Sequence, residues 1–440
     1  MGWISRNKSR IRSRENFFLD IPFYRTHRAG IRSLKSTSAS GFSARFIVPC
    51  NKLPLMSRRN HSSTTLSISS ATIHCRMPAE WEPHAATWLA WPHYRGDWPG
   101  KFDPIPWVYT EIIRNLARHE RVELIVNDAS AERQARMLLG QANALVKNVG
   151  FHCWPTNRVW LRDSGCIFTT PHVGTAALGC PTRALALEGS LLAAKFRFNA
   201  WAKYSNWRHD EKIGTLMASS TKSQEVRPLF NNTRVVLEGG SIDVNGQGAL
   251  LTTEECLLSK IQQRNPGMSR KNYEKLFADC LGAPHVIWLG KGIHGDDTHG
   301  HVDDLSRFVA PRTVITMVEP NRKDVNHKPL SDNLRRLQAA TDQTGKPLNV
   351  IELPMPRPVV FENRRLPASY ANFYIANGIV LAPVFNDAND RVALNMLADL
   401  FPAREIVPIY SGDLVWGLGT MHCMTQQQPS AISSQLAAKA

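Results

Sequence analysis

The chain alternates short apolar runs with amphipathic stretches from about residue 77 onward. Residues 86–92 (ATWLAWP) are apolar throughout, as a strand buried on both faces would be. Residues 105–118 (IPWVYTEIIRNLAR) carry their apolar positions at helical spacing. A strand is predicted over 123–126 and a second helix over 131–145. Residues 158–161 (RVWL) predict a strand that runs into Arg162-Asp163-Ser164-Gly165, a loop at a sheet edge. Residues 233–238 (TRVVLE) predict a strand broken at Gly239-Gly240. Residues 241–244 and 248–252 flank Asn245-Gly246, a strong hairpin signal. A helix over about 269–281 and a strand over 285–289 follow. The order then recurs, with a strand over 312–318, a helix over 330–341 and a strand over 350–353. It recurs again over 378–383, 391–400 and 405–409.

Strand, hairpin, helix and strand therefore repeat as a ββαβ unit of about 60–80 residues. No Pro-, Ser- or Gly-rich linker divides residues 77–430, so one α/β domain is expected there. Residues 174–195 are small, apolar and without periodicity, and read as a surface insertion.

Charge changes the picture at one end only. The net charge is +16, but residues 1–76 hold 14 Lys and Arg against 2 Asp and Glu. The remainder, 39 basic against 35 acidic, is close to neutral. A nucleic-acid-binding body is thereby disfavoured. The basic stretch suits a disordered extension or an organellar transit peptide, mitochondrial or plastid. The competing reading is an over-extended start, with Met77 as initiator. Residues 431–440 are expected to form a disordered tail. No apolar run reaches the roughly 18–20 residues of a membrane helix. The 8 cysteines show no CxxC spacing, which suits reduced thiols in the cytoplasm.

The densest chemistry lies in residues 292–304 (GIHGDDTHGHVDD), with four acids and three histidines. On an extended strand His301 and Asp303 would share a face. Asp163 and Glu238 also stand at predicted strand ends beside glycine, where backbone approaches a ligand closely. A carboxylate there is more often a turn or cap residue when it stands alone; three such positions shift the balance toward a site. Cys423 follows glycines and His422 and precedes three glutamines, a setting that suits a nucleophile better than a core. Carboxylates hold a planar guanidinium directionally. A thiolate can attack its carbon, and a histidine beside a glutamate can serve the departing ammonia and the incoming water. The alternative is a metal-dependent hydrolase, using His294, Asp296, Asp297, His299, His301, Asp303 and Asp304 as ligands. No HExxH pair supports it, and it leaves Cys423, Asp163 and Glu238 unused.

The motifs MPAEWEPHAATWLAWPH, VWLRDSG, RFNAWAKY, VVLEGGSIDVNGQGALLTTEECLL, GDDTHGHVDDLSRFV, LPASYANFYIANG and GLGTMHCMTQQQP resemble, in this order, those of the agmatine deiminase family. That family is related to bacterial-type peptidylarginine deiminases. The resemblance spans Met77 to about Pro429. It implies a pentein fold, an α/β propeller of five ββαβ units about a pseudo-fivefold axis, without metal or organic cofactor. It places Cys423 as nucleophile, His301 as general acid/base, and Asp163 and Asp303 as guanidinium-binding carboxylates. Glu238 supports substrate and histidine. Trp88, Trp91 and Trp160 fall inside the motifs, either walling the aliphatic part of a substrate or packing in the core. It implies hydrolysis of agmatine to N-carbamoylputrescine and ammonia, a step toward putrescine, by a homodimer acting on a small guanidino compound. Nucleic acid and membrane are not expected partners. Free or peptidyl arginine is the alternative substrate, and Arg95 or Arg208 would be candidates to meet its carboxylate. The family's proline after Arg-Asp-x-Gly is Cys166 here, which removes a stiffening residue from the Asp163 loop.

Overall fold

One strand pattern occurs five times in the computed structural model of the chain, which describes residues 64–67, 75–171 and 191–430. In each copy a first strand pairs antiparallel with a second. The second pairs parallel with a third, reached through a helix. Asp243–Val244, Ala249–Thr253 and His285–Leu289 form one copy around the helix Arg270–Leu281. Ser306–Ala310, Thr313–Val318 and Asn349–Pro354 form the next around His327–Gln338. Tyr374–Ala376, Ile379–Val384 and Glu405–Tyr410 follow around Ala388–Leu400. Ile167–Pro171, Leu192–Ala194 and Gln224–Phe230 repeat the pattern around Asp210–Ser220. In the remaining copy the second and third strands are His84–Ala90 and Arg121–Val126, joined through Ile105–Leu116. Its first strand is Gln426–Pro429, from the far end of the chain. A further helix, Ala129–Gln141, leads to the parallel strand Val149–Cys153. These five ββαβ units are the pentein fold expected from the sequence.

Local chemistry sets the element ends. The helix Arg270–Leu281 starts in a capping box between Ser269 and Asn272 and stops at Gly282, whose φ is 65°. All five residues of Ala249–Thr253 are buried, which accounts for a run with no polar alternation.

The structure departs from the sequence reading in four places. Residues 158–161 do not form a strand. Leu161–Ser164 is one helical turn, with the Trp160 carbonyl accepting from the Asp163 and Ser164 amides at 3.2 and 3.1 Å. In 233–238 only Thr233–Arg234 pairs as a strand. The Val236 amide and carbonyl bond instead to the Asn265 side chain, at 2.8 and 2.7 Å. His301 and Asp303 do not lie on an extended strand, because Val302–Asp304 is a tight 3-10 turn. The end of the 174–195 stretch is core rather than insertion: Leu192–Ala194 is a fully buried strand. Residues 172–190 lie outside the described residues, as do 1–63, 68–74 and the 431–440 tail. Within the basic extension, Thr64–Ser67 pairs parallel with the Gln224–Phe230 strand and Cys75–Arg76 pairs with Pro171 and Thr170. Among the described residues no helix is long and apolar enough to cross a membrane.

Candidate active site

The segment just before the first strand of each unit supplies a polar side chain to one buried cluster. Asp163 precedes Ile167–Pro171, and Glu238 precedes Asp243–Val244. His301 and Asp303 precede Ser306–Ala310. Asn372 precedes Tyr374–Ala376, and Cys423 precedes Gln426–Pro429. His301 is the hub: Nδ1 lies 3.8 Å from Asp163 Oδ2, and Nε2 lies 3.8 Å from Glu238 Oε2. Cys423 Sγ lies 3.6 Å from Asp303 Oδ2. A Cβ at Gly240 would stand 2.5 Å from His301 Nδ1, 3.0 Å from Asp163 Oδ1 and 3.1 Å from Asp303 Oδ2, so only glycine lets these groups converge. Gly419 has the same function beside the thiol, since a Cβ there would lie 2.8 Å from the Trp160 ring and 3.2 Å from Cys423 Sγ.

Asp163 is held from two sides. Its Oδ1 accepts from the Gly240 amide at 3.0 Å and its Oδ2 from Trp201 Nε1 at 2.8 Å. These bonds fix the loop that lacks the family's proline; Cys166 itself is fully buried. Trp201 sits in a left-handed turn, Ala200–Ala202, with φ of 51°, 58° and 54°. Three successive non-glycine residues there are strained. Asn199 caps the turn, its Oδ1 accepting from the Ala202 amide at 3.0 Å.

Asn372 positions the thiol. Its Oδ1 accepts from Thr420 Oγ1 at 2.8 Å and from the His422 amide at 3.1 Å. That orientation leaves Nδ2 to donate to Cys423 Sγ at 3.1 Å and to Asp304 Oδ1 at 3.0 Å. Behind the thiol, His422 bridges two carboxylates, with Nδ1 2.7 Å from Asp303 Oδ2 and Nε2 2.9 Å from Glu80 Oε2. Glu80 is buried and also faces Arg307 at 2.9 Å and Arg162 at 3.3 Å. Burial alone would raise its pKa, but Arg307, His422 and Arg162 hold it well below the usual carboxylate range.

The remaining electrostatics divide the acids. Burial, with the Asp303 and Glu238 charges adding and His301 opposing, pushes Asp163 up to about 6. Burial would raise Glu238 as well, but Arg264, whose Nε donates to Oε1 at 3.1 Å, and His301 bring it down to about 2. Burial would lower His301, yet Asp163, Cys256 and Glu238 raise it well above the usual imidazole range. Burial, then Asp303, Asp304 and Asp163, drive Cys423 well above the usual thiol range, with Asn372 opposing. Asp303 Oδ1, Glu238 Oε2 and both His301 ring nitrogens have no hydrogen-bond partner among the described residues.

A pocket opens onto Asp163 and Cys423 between Trp160, Trp201 and Trp416. Asp97, Asp297, Arg158 and Arg364 also line it, with Asp97 buried against Arg158. Asp297 is held by Lys203 at 3.0 Å and by Tyr204. Trp88 does not line it. That ring stacks on Trp154 at 5.9 Å, with Nε1 donating to Gln428 Oε1 at 3.0 Å, so its expected substrate contact is corrected to packing. Trp91 is likewise core. Arg95 pairs with exposed Asp103, and Arg208 lies over Trp207; neither lines the pocket.

The 294–304 cluster does not assemble as a set of metal ligands, because most of its members are committed elsewhere. Asp296 ties down its own loop, accepting from the Thr298, Gly300 and His301 amides at 2.8, 2.8 and 3.1 Å. His299 pairs with Ser259, and Asp304 with Asn372. Four residues of the site were missed from sequence: Glu80, Trp201, Arg264 and Asn372. Asn372 alone had a usable signal, because it occupies in its unit the position that Cys423 and Asp163 occupy in theirs.

Solved structures share this fold over nearly their whole length. Agmatine deiminase of Enterococcus faecalis is 28% identical with a TM-score of 0.72, covering 82% of this chain and 97% of its own. A Porphyromonas gingivalis protein described as a putative arginine deiminase is 31% identical with a TM-score of 0.70, covering 81% and 99%. Fold and site together define a hydrolase that acts on a guanidino C–N bond. The chain belongs to the Porphyromonas-type peptidyl-arginine deiminase family, whose description matches residues 76–429. Curated relatives include the agmatine deiminase of Pseudomonas aeruginosa, 32% identical over 81% of this chain and 95% of its own length. A putative agmatine deiminase of Legionella pneumophila is 31% identical over the same shares.

Proposed function

We propose that the enzyme is an agmatine deiminase, converting agmatine and water into N-carbamoylputrescine and ammonia on the way to putrescine. One observation carries the reading: Cys423 and Asp163 line one tryptophan-walled pocket, and the buried Asp303 carboxylate lies 3.6 Å from the same thiol. The guanidinium is held by Asp163 and Asp303, whose negative charge keeps the resting thiol protonated. Its arrival neutralises that charge and favours the thiolate. The thiolate attacks the guanidinium carbon. The C–N bond to one terminal nitrogen breaks, and that nitrogen leaves as ammonia with a proton from His301. Neutral His301, supported by Glu238, then deprotonates water. Its attack on the amidino carbon expels the thiolate and leaves the ureido product.

Arg364 gives the second reading. It stands on the hairpin between Val360–Phe361 and Arg364–Arg365 and lines the pocket, where it would meet the α-carboxylate of free arginine. Steady-state assay of ammonia release from agmatine, arginine and an arginine peptide tests both. The agmatine reading requires the highest kcat/KM on agmatine, and preference for arginine overturns it. Cys423→Ala should abolish turnover with the fold intact; surviving activity would remove the thiol route.

A further inference from the structure

We propose that Glu238, Cys256 and His301 form an inhibitory binding site for a thiophilic divalent cation such as zinc. Their donor atoms all lie within 4.8 Å of one another, and all three side chains are buried. His301 Nε2 and Glu238 Oε2 are 3.8 Å apart, and neither atom has a hydrogen-bond partner among the described residues. Two ligands of one tetrahedral zinc lie roughly 3.4 Å apart, so modest side-chain shifts close the set. Arg264 occupies only Oε1 of Glu238, which leaves Oε2 to coordinate. Cys256 is presented by the short helix Glu254–Leu258, whose start is fixed by Thr253 Oγ1 accepting from the Cys256 amide at 3.1 Å. The reaction proposed above makes no use of this thiol.

A thiolate, an imidazole and a carboxylate favour zinc over magnesium or calcium, which prefer oxygen, and three protein ligands leave a fourth position for water. Binding releases the Cys256 thiol proton and any proton on the ligating His301 nitrogen. The bound imidazole can then neither give nor take a proton. That the cation inhibits rests on the role of His301 proposed above; that it binds does not. The route in passes Asp163, which lines the pocket and lies 3.8 Å from His301.

Cobalt(II) is the probe, added to the chelator-treated full chain. A thiolate-to-cobalt charge-transfer absorption is expected, retained in Cys423→Ser and lost in Cys256→Ala. Zinc should inhibit ammonia release reversibly by chelator, with at least tenfold more needed in Cys256→Ala. No absorption in the parent, or absorption that follows Cys423 instead, overturns the proposal. Should Cys256→Ala fail to fold, Glu238→Gln must keep the band while weakening cobalt binding at least tenfold. The absorption is read without turnover, so a failed agmatine assay leaves this test standing.

Discussion

Truncating Asn372 tests how the buried thiol becomes a nucleophile. Its amide is locked by Thr420 Oγ1 and the His422 backbone, so that Nδ2 points at Cys423 Sγ, 3.1 Å away. Burial disfavours a thiolate most, and the Asp303, Asp304 and Asp163 carboxylates add to it. Asn372 is the neutral donor that opposes them. A hydrogen bond to a charged group contributes about 1.5–3 kcal/mol. At about 1.4 kcal/mol per factor of ten, Asn372→Ala should reduce the thiolate population roughly 10- to 100-fold at neutral pH. The assay is the rate of iodoacetamide alkylation against pH, with kcat/KM for agmatine measured in parallel. Both profiles should move to higher pH, and kcat/KM at neutral pH should fall by the same factor. Thr420→Val keeps the donor but loses one of its anchors, so a smaller loss is expected. An unchanged alkylation profile, or kcat/KM within threefold of the parent, would refute the argument.

Asp163 should be visible in binding. Its pKa of about 6 lies above that of the unfolded chain, chiefly through burial. The native state therefore holds this proton more tightly, and this group's contribution to stability is present below about pH 4 and lost as pH rises to about 6, roughly 3 kcal/mol in all. Agmatine binding to Cys423→Ala, followed by calorimetry, should accordingly tighten as pH rises through about 6, and Asp163→Asn should flatten that dependence. Arg264→Met leaves the buried Glu238 charge with only His301 facing it, a loss of up to about 3–5 kcal/mol by urea unfolding; a loss under 1 kcal/mol would mean the pair is dispensable. Trp201→Phe removes the donor to Asp163 Oδ2 while keeping an aromatic wall. It should raise KM for agmatine, and an unchanged KM would show that Gly240 alone positions the carboxylate.

What could be read from the sequence was what short-range chemistry encodes. The helix Arg270–Leu281 and strand His285–Leu289 were placed within a residue because a serine cap, a terminal glycine and a five-residue apolar run mark their limits. Asp163 was singled out but set on the wrong element. The apolar RVWL run suits a strand, whereas Arg162 turns inward to Glu80, 82 residues earlier in the chain, and the backbone winds up to allow it. Glu80 went unread for the same reason: its partner His422 is 342 residues away, and no periodicity reports a contact of that range. Trp88 failed differently, since a motif does not say which face of the sheet a residue occupies. The unit repeat held more than was drawn from it. Because one segment of every ββαβ unit faces the same site, a polar residue just before the short strand Tyr374–Ala376 was due a role, and Asn372 is that residue. The same arrangement explains the charge. Converging units place Asp163, Glu238, Asp303 and Asp304 around His301 and one thiol. Such a cluster is costly when empty of cations, and in the mechanism we propose its relief by a guanidinium gives the substrate a direct part in ionising the nucleophile.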